Sequence, residues 1–458
     1  MLRSCRRIPV AMTIAGSDSG GGAGIEADLK TFAALGVHGT VALTSVTAQN
    51  TYEVTAIYDI PPDIVYKQIE AVVVDMGVDA AKTGMLSNSQ IIKAVAEAVR
   101  KYRFPVVVDP VMIAKSGAQL LREEAVETLV KELIPLAKVV TPNRPEAEKL
   151  TGVEIRSLDD AKLAAKDIVE VLGAEAAVVK GGHLEGSESI DVLYWNGSFK
   201  LFKASRIDAG CTHGTGCAFA AAIAAELAKG EAVDRAVEKA KEFITLSIDY
   251  GVKIGKGHCP VNPIAWLEIP AERYRVLRNV EEAVRLFTLN ADKVRNYMPE
   301  VGVNIVEAID PKYLRDLKDV AGVLGRIVKV GDEVKAVGPV RFGASKHLAR
   351  ALIVVTQYYP MLRAMVNIRY DEKLIENAVK AGFEVIFVDR SKEPEEVKKV
   401  EGMSLKWVVQ EAMMKSRRPP DIIYDLGDVG KEAMIRVLAR NAVEAVEKLL
   451  KIINLTLH

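Results

Sequence analysis

The chain has 458 residues, more than one ordinary hydrophobic core holds, and therefore predicts two or three domains. Its 49% hydrophobic and 27% charged residues are typical of a soluble globular protein. The 61 basic and 61 acidic side chains cancel, and no apolar run reaches the ~20 residues that a membrane span needs. Composition therefore argues against nucleic acid and membrane as the main partners.

The first predicted element is a buried strand at 10–15, which leads into the glycine-rich loop GSDSGGGAG at 16–24. Helical spacing of apolar residues follows at 25–35. A strand, a glycine loop and a helix in this order bring backbone amides close to a ligand. The glycine spacing differs from the dinucleotide fingerprint, and no acidic residue ends a second strand, so we do not expect a dinucleotide.

Apolar strands and helical segments then alternate as far as residue 180. Strands are expected at 40–48, 80–83, 105–109, 138–141 and 176–180, and helices at 63–74 and 89–102. Val-rich strands separated by helices predict an α/β fold with a doubly wound, mostly parallel sheet covered on both faces. In such a sheet the ligand binds at the carboxyl ends of the strands.

Four polar side chains follow three of these strands, so one crevice is expected to hold them. Asp109 and Glu146 carry the carboxylate oxygens that Mg²⁺ prefers. Lys180 suits a phosphate group as a point charge, and Asn143 lies in the loop before Glu146. Each of them alone is more typical of a solvated loop, and only their joint position indicates a site.

The segment DAGCTHGTGC at 208–217 runs directly into an alanine-rich helix. Gly214 and Gly216 allow backbone amides to point into open space, and the first amides of the helix are unpaired and partly positive. Together they predict an anion site, such as one for a phosphoryl group in transfer. Cys217 would lie at the helix N-terminus, where a thiol loses its proton more easily. The same pattern also suits a glycine-capped buried helix with a core cysteine.

The cysteines indicate reduced thiols in a cytoplasmic protein. The chain has four of them, too few for a disulfide framework: Cys5, Cys211, Cys217 and Cys259. The spacing of Cys211, His213 and Cys217 resembles part of a zinc site, but no fourth ligand is near and an anion is expected there. We therefore do not expect zinc.

A proline-containing stretch at 260–270 predicts a connection between two domains. The expected boundaries are 1–265 for the first domain, 266–272 for a linker and 273–458 for a smaller second α/β domain. The second domain opens with a helix at 274–287. Its expected strands are 303–309, 325–330, 365–370, 384–389 and 422–425, with helices at 346–358 and from Lys431 to the end.

The first domain resembles the hydroxymethylpyrimidine and phosphomethylpyrimidine kinases of thiamine synthesis, which have the ribokinase-like fold. The resemblance spans about residues 10 to 265 and rests on TIAGSDSGGGAGIEADLKT (13–31), VTAQNT (46–51), KTGML (82–86), VDPVMIAKSG (108–117), TPNRPE (141–146), VKGGH (179–183) and THGTGC (212–217). Glu26 stands where the family pattern has Gln, and Arg144 varies a loop position.

This resemblance implies two ATP-dependent phosphorylations at one site, the first on a hydroxymethyl group and the second on the resulting phosphate. Gln49 would read the pyrimidine through its amide, and Asp28 would orient Gln49. Cys217 would be the base for the first step, contributing ~10²–10⁴ in rate. The implied substrate-binding residues also include Gly16, Gly214 and Gly216. The implied ATP-binding residues are Lys180, Asn143, Lys115 and Thr212, and the implied Mg²⁺ ligands are Asp109 and Glu146.

The second domain resembles the archaeal-type thiamine-phosphate synthase over about residues 273 to 458. The matching pieces are DVAGVLGRI (319–327), VRFGASKHLAR (340–350) and PDIIYDLGDVGKEAM (420–434). Coupling would release diphosphate, whose charge must be met by cations. Arg326 and His347 are the implied catalytic residues, and the implied substrate-binding residues are Ser345, Lys346, Arg350, Asp425 and Lys431.

The resemblances together imply a bifunctional thiamine-pathway enzyme that acts on small molecules and is expected to form a homo-oligomer. Two alternatives remain open. The second domain would be a thiamine-phosphate sensor if it bound without catalysis, although the chain has no basic helix-turn-helix segment. The kinase half would phosphorylate pyridoxal if its pocket favoured that ring.

Overall fold

Residues 8–113, 117, 119–181, 187–207, 211–398, 400, 403–428 and 430–457 are described by the computed structural model of the chain. The chain divides into two units, Met1–Leu267 and Glu268–His458. In the described residues, each unit has its own sheet and its own buried core.

The first unit alternates strands with helices. Its strands are β1 (Val10–Ala15), β2 (His38–Leu43), β3 (Ser45–Gln49), β4 (Val54–Asp59), β5 (Ala80–Thr83), β6 (Val106–Val108), β7 (Val139–Val140), β8 (Ala176–Val179), β9 (Glu188–Trp195) and β10 (Ser198–Ser205). Its helices are α1 (Gly24–Ala34), α2 (Pro62–Asp75), α3 (Ser89–Tyr102), α4 (Glu123–Thr128), α5 (Arg144–Thr151), α6 (Leu158–Glu170), α7 (Thr215–Ala228) and α8 (Val233–Asp249).

The described strands of this unit form an eight-stranded sheet in the order β10-β9-β8-β7-β6-β5-β1-β2. Pairs from β2 to β8 are parallel, and the β8–β9 and β9–β10 pairs are antiparallel. Apolar clusters cover both faces, one with α3 and α6 and the other with α7 and α8. The doubly wound, mostly parallel sheet is therefore confirmed. The strand expected at 40–48 is two strands, since β3 leaves β2 and pairs with β4 in a separate hairpin.

The boundary between the two units, after Leu267, falls inside the linker expected at 266–272, but these residues are helical and lie within α9 (Ala265–Leu289). Pro270 removes one backbone hydrogen bond and disfavours a helix interior. Side chains before and after Pro270 are nevertheless packed or buried. Trp266 packs against Phe243, and further along Val276 and Val280 are fully buried.

The second unit contains shorter elements. Its strands are β11 (Ile305–Ala308), β12 (Val320–Val323), β13 (Ile327–Val330), β14 (Glu333–Ala336), β15 (Val340–Phe342), β16 (Ala364–Arg369), β17 (Val385–Phe387), β18 (Ile422–Asp425) and β19 (Met434–Ala439). Its helices after α9 are α10 (Ala291–Val294), α11 (Lys346–Tyr358), α12 (Glu372–Lys380), α13 (Glu395–Lys398), α14 (Met403–Lys415) and α15 (Ala442–Leu457).

The sheet of the second unit has the order β15-β12-β11-β16-β19-β18-β17 among the described residues. Its pairs are antiparallel except β17–β18. The expected closing helix from Lys431 is wrong: β19 occupies Met434–Ala439, and the helix begins only at Ala442. Strand β19 lies between β16 and β18, so non-local pairing overrides the local helical preference of its residues.

Glu307 on β11 gives the second unit a pH-sensitive core contact. It is fully buried, and its carboxylate accepts hydrogen bonds from the Asn279 side chain at 3.0 Å and from the Ala442 amide at 2.7 Å. Burial raises the pKa of Glu307 to about 7, although these hydrogen bonds oppose the shift. The folded state therefore holds the proton more tightly than the unfolded chain, whose glutamate titrates near the ordinary pKa.

We expect the opening free energy of this unit to fall by about 2 kcal/mol between pH 5 and pH 7, as the Glu307 proton is lost. Hydrogen exchange of the α15 amides in the full chain, corrected for the intrinsic rate at each pH, measures this change. Glu307→Gln keeps the size of the side chain and should remove the dependence. Equal pH dependence in both proteins would assign it to another group.

Candidate active site

A cleft of ≈640 Å³ opens where the parallel strands of the first unit end. The loops after β1, β5, β6, β7 and β8 and the N-terminus of α7 surround it. Of the residues expected at a site, the cleft is lined by Gly16, Gln49, Asp109, Asn143, Glu146, Lys180, Thr212, Gly214, Gly216 and Cys217. Residues far apart in sequence thus share one cavity because parallel strands place their carboxyl ends at one edge.

The two glycine-rich loops of the cleft are joined by a hydrogen bond between side chains. His213 Nε2 lies 2.9 Å from Asp18 Oδ2. Asp18 also accepts hydrogen bonds from the amides of Gly20 and Ala23, both at 2.8 Å. Burial alone would raise the pKa of Asp18, but the contacts with His213 and these amides hold it below its ordinary value. Asp18 and His213 therefore fix the shape of the cleft, a role that the sequence analysis did not assign to either residue.

Gly214 is the N-cap residue directly before helix α7 and has φ +80°. From Ala218 to Glu226 the helix is buried throughout, while its first turn lines the cleft. Both interpretations of this segment therefore apply: the body of the helix is buried, and its N-terminal end is open to the cleft. A helix N-terminus facing a cavity leaves its first amides available to an anion.

Gly214→Ala should destabilise the first unit by about 3 kcal/mol, because two costs add: the strain of alanine in a left-handed backbone conformation and the steric overlap of its Cβ. A Cβ at this position would lie 1.9 Å from the Gly22 carbonyl oxygen. Gly36→Ala is the matched control, because Gly36 has φ +72° with nothing within 4 Å and should lose only about 1 kcal/mol. Calorimetric unfolding of both variants gives the comparison, and equal losses would mean that the loops do not touch at Gly214.

Cys217 lies at the third position of α7, and its environment is not the one expected from the sequence. Burial raises the pKa of the Cys217 thiol to about 11, and the positive charge of Lys82 only partly offsets this. The expectation of an easily lost proton is therefore wrong, because removal from water outweighs the helix terminus. At neutral pH the resting side chain is a thiol.

The acidic end of the cleft contains two carboxylates and one ammonium group. Lys180 Nζ lies 3.1 Å from Asp109 Oδ1, and the Thr141 hydroxyl donates to the same oxygen at 3.2 Å. Burial raises the pKa of Glu146 to about 7, with Lys180 lowering it and Asp109 raising it further. Asn143 caps α5 by accepting from the Glu146 amide, while Glu146 Oε2 accepts from the Asn143 amide.

Gln49 and Gly16 also line the cleft. Gln49 Oε1 accepts a long hydrogen bond of 3.5 Å from Thr47, and its Nε2 has no partner among the described residues. Asp28 was expected to orient Gln49, but its hydrogen-bond partners among the described residues are Thr13 and Lys82. Asp28 is fully buried and does not line the cleft; its Oδ2 accepts from Lys82 instead. Lys115, an expected ATP-binding residue, lies outside the described residues.

Cys211 and Cys259 form a disulfide bond, with a Cα–Cα distance of 4.5 Å. The expectation of reduced cysteines is therefore wrong for this pair, since folding brings together two residues 48 positions apart. Next to the bridge, the His213 amide donates to the Cys259 carbonyl at 3.2 Å, and the Val261 amide donates to the His213 carbonyl at 3.1 Å. The disulfide fastens the loop before α7 to residues 259–261.

Sequence reasoning also missed an ion pair that lines the cleft. Lys241 on α8 lies 2.9 Å from Asp191 on β9, and both residues line the cavity. The Gly181 amide donates to the other Asp191 oxygen at 2.9 Å, so this pair supports the turn that follows Lys180. Neither residue belongs to a recognisable motif, so only the fold reveals their position.

In the second unit, Arg326 follows β12 with φ +77°. Its side chain is exposed and donates to the Val301 carbonyl. Lys346, His347 and Arg350 lie on α11, with the first two exposed and Arg350 half-buried.

Ser345 precedes α11 and lies close to the sheet. A Cβ on Gly322 of β12 would be 3.1 Å from Ser345 Cβ and 3.2 Å from Asn304 Oδ1. The absence of a side chain at Gly322 thus lets the start of α11 approach the strand. The side-chain amide of Asn304 donates to the Val323 carbonyl at 2.8 Å and accepts from the Val323 amide at 2.9 Å, so it supports the sheet.

Asp425 was expected to bind substrate, and the structure does not support this. It is fully buried, and its two oxygens accept hydrogen bonds from Arg390 and Arg436, both at 2.7 Å. Lys431 donates to Ser404 at 2.7 Å and is partly exposed. The Asp425 carboxylate therefore organises two arginines, whereas the Lys431 ammonium group remains within reach of solvent.

In the part of the chain that the structure describes, no helix combines the length and the apolar character that crossing a membrane requires. The same residues contain no group of three or more His, Cys, Asp or Glu side chains arranged to hold a metal ion.

Comparison with known proteins divides the chain in the same way as its motifs. The family model for phosphomethylpyrimidine kinase matches residues 18–262, and the model for thiamine-phosphate synthase ThiN matches residues 279–451. The hydroxymethylpyrimidine/phosphomethylpyrimidine kinase of Bacillus subtilis is 49% identical over 258 residues, 56% of this chain and 95% of that protein. The thiamine biosynthesis bifunctional protein ThiED of Geobacter sulfurreducens is 48% identical over 263 residues, 57% of this chain and 54% of that protein.

Solved structures give the same fold for the first unit. The pyridoxal kinase of Bacillus subtilis, in its ADP complex, is 40% identical with a TM-score of 0.53 and covers 56% of this chain and 98% of its own. The pyridoxal kinase of Staphylococcus aureus, solved with AMP-PCP and pyridoxal, is 37% identical with a TM-score of 0.53. The match covers 57% of this chain and 96% of the pyridoxal kinase. The chain belongs to the phosphomethylpyrimidine kinase family, with a thiamine-phosphate synthase ThiN domain as its second part, and is an enzyme of thiamine biosynthesis.

Proposed function

We propose that this protein makes thiamine phosphate in three steps. The first unit phosphorylates hydroxymethylpyrimidine and then extends the phosphate to a diphosphate, each time from ATP. The second unit joins this product to thiazole phosphate and releases diphosphate. The observation that supports the kinase steps most strongly is the open end of α7, with Gly214 and Gly216, in a cleft that also contains Lys180.

ATP would supply its phosphates to the side of the cleft with Lys180, Asn143 and Thr212. Related kinases that share the fold were solved with ADP and with AMP-PCP. The amides at the start of α7 would receive the phosphoryl group in transfer, where charge spreads over its outer oxygens. Lys180 would act there as a cation. Burial alone would lower the pKa of its ammonium group, but the negative charges of Asp109 and Glu146 outweigh burial and raise that pKa.

Asp109 and Glu146 fit Mg²⁺ by their chemistry. Both are buried carboxylates facing one cavity, and their mutual repulsion contributes to the raised pKa of Glu146, which is due first to burial. Oxygen-rich acidic sites of this kind suit a hard divalent cation. When bound, Mg²⁺ would supply positive charge to the ATP phosphates, and the two carboxylates would hold it there.

The acceptor ring would lie beside Gln49 and Gly16. Gln49 has a free amide nitrogen among the described residues and a weakly engaged oxygen, so it can donate and accept at once. A Cβ on Gly16 would lie 3.2 Å from the Met85 sulfur, so a larger residue at this position would crowd the wall of the cleft. The pyrimidine hydroxymethyl group would then point towards Cys217.

Cys217 would accept the hydroxyl proton in the first phosphorylation. Its raised pKa of about 11 makes the thiolate scarce at neutral pH but a strong base once formed. The second phosphorylation starts from a phosphate group that is already ionised and needs no base. Cys217 therefore separates the two steps chemically.

For coupling, we assign the diphosphate leaving group to cations near α11. Lys346, His347 and Arg350 lie in its first two turns, and Arg326 follows β12 of the same unit. Charge-assisted hydrogen bonds from such groups stabilise the departing diphosphate. Lys431, partly exposed beside Ser404, is a further candidate for a substrate phosphate.

Product analysis with the full chain tests the three steps together. With hydroxymethylpyrimidine, ATP, Mg²⁺ and thiazole phosphate, we expect thiamine phosphate and two equivalents of ADP. Accumulation of the pyrimidine diphosphate without coupling would favour a second unit that only senses thiamine phosphate. Faster phosphorylation of pyridoxal than of the pyrimidine, in direct competition, would favour the activity of the solved relatives.

Arg326→Ala should lower the coupling rate by about a hundredfold, as loss of one charge-stabilising donor does. Both kinase steps should be unchanged, because Arg326 belongs to the other unit. Supplying the pyrimidine diphosphate directly with thiazole phosphate isolates the coupling rate. A normal rate in this variant would remove Arg326 from the reaction.

A further inference from the structure

Lys82 and Asp28 form an ion pair that is enclosed behind the cleft. Lys82 Nζ lies 2.8 Å from Asp28 Oδ2, and both side chains have 0% exposure. The Thr13 hydroxyl donates to the same oxygen at 2.6 Å. The other oxygen, Asp28 Oδ1, is buried with no hydrogen-bond partner among the described residues.

A buried ion pair stabilises a fold only weakly, because desolvation of the two charges offsets their attraction. Removing two charges from water costs several kcal/mol, and apolar residues of similar size often stabilise a protein equally well or better. The unpartnered oxygen of Asp28 adds a further desolvation cost. Lys82 lies on β5 and Asp28 on α1, elements already held by apolar packing. Stability alone does not explain these charges.

The location of the Lys82 ammonium group, at the wall of the cleft, indicates a functional role. Lys82 lines the cleft together with Cys217, although solvent does not reach it. A Cβ on Gly84 would lie 2.9 Å from Lys82 Nζ. Because Gly84 has no side chain, the ammonium group can lie close to the backbone of the cleft wall. Burial raises the pKa of the Cys217 thiol, and the positive charge of Lys82 acts in the opposite direction and lowers it.

We propose that Lys82 is a positioning residue for the first phosphorylation, where its fixed charge supports a thiolate at Cys217. The inference rests on the proposed role of Cys217. The thiol first releases its proton to water. The thiolate then takes the proton of the substrate hydroxyl, while that oxygen bonds to the γ-phosphorus and the bond to the ADP oxygen breaks with its electron pair. Lys82 keeps its proton throughout, and Asp28 holds it in place.

A double-mutant cycle tests this coupling. Each step is assayed separately, by supplying hydroxymethylpyrimidine or its monophosphate as the acceptor. We expect Lys82→Met to lower kcat of the first step at least about tenfold more than that of the second, with little change in KM. In a Cys217→Ala background the same substitution should add less than about threefold, because its target is gone. Comparable losses in both backgrounds would overturn the proposal.

A neutral pair of substitutions separates this role from folding. Lys82→Met combined with Asp28→Asn removes both charges, so no single buried charge is left behind. We expect this variant to unfold at a temperature close to that of the parent and still lose the first step selectively. Full first-step activity in the neutral variant, or equal loss of both steps, would overturn the role of Lys82. Equal loss of both steps in Cys217→Ala alone would instead remove the base, and the proposal with it.

Discussion

Cys217→Ala is expected to slow the first phosphorylation by about 10²–10⁴-fold and to leave the second nearly unchanged. The first acceptor is an alcohol that must lose a proton, whereas the second is an ionised phosphate. In the proposed reaction both acceptors use the same cleft and the same ATP, so the second step serves as an internal control for folding and nucleotide binding. Steady-state kcat for each acceptor, supplied separately, gives the ratio.

The pH dependence of the parent protein follows from the same residue. Because burial raises the pKa of Cys217 to about 11, the thiol dominates below that pH and the thiolate fraction grows about tenfold for each pH unit. The first step should therefore accelerate with rising pH, and Cys217→Ala should abolish that slope. If both steps fell equally in Cys217→Ala, or the slope survived, Cys217 would have a positional role only.

Breaking the Cys211–Cys259 bridge is expected to destabilise the first unit by about 3–4 kcal/mol. The bridge joins residues 48 apart, and closing a loop of that length restricts the unfolded chain by about this amount. The kinase steps should also slow, since the bridge borders His213, which contacts Asp18 across the two glycine loops. Calorimetry of the full chain with and without a thiol reductant measures the loss.

Cys259→Ser supplies the control for this experiment. The variant should start at the stability of the reduced parent and should not respond to the reductant. A parent protein whose unfolding is unaffected by full reduction, checked by mass spectrometry of the cysteine peptides, would contradict a stabilising bridge. A reductant effect that persists in Cys259→Ser would assign the loss to other thiols.

Much of the kinase site follows from sequence because local patterns determine it. Val-rich strands placed Asp109, Asn143 and Lys180 at neighbouring strand ends, and a parallel sheet then brings such ends to one cleft. Gly214 was also recognisable, since a glycine before an alanine-rich helix is a local signal of a helix start. These features need no information about distant contacts.

Features that depend on distant contacts were not predictable. Asp28 has helical spacing in the sequence, but only the packed structure reveals that it faces Lys82 instead of Gln49. The same holds for the bridge between Cys211 and Cys259 and for the raised pKa of Cys217, which arises from burial. Strand β19 was missed because its pairing with β16 and β18 outweighs local preference.

The most direct test of the kinase site is a crystal structure of the full chain with ADP, Mg²⁺, aluminium fluoride and hydroxymethylpyrimidine. Aluminium fluoride imitates the phosphoryl group in transfer, so its position marks the reaction centre. We expect it at the backbone amides that begin α7, beside Gly214 and Gly216, with Cys217 facing the hydroxymethyl group. Aluminium fluoride bound away from that helix end, or a pyrimidine hydroxyl out of reach of Cys217, would contradict phosphoryl transfer at this site.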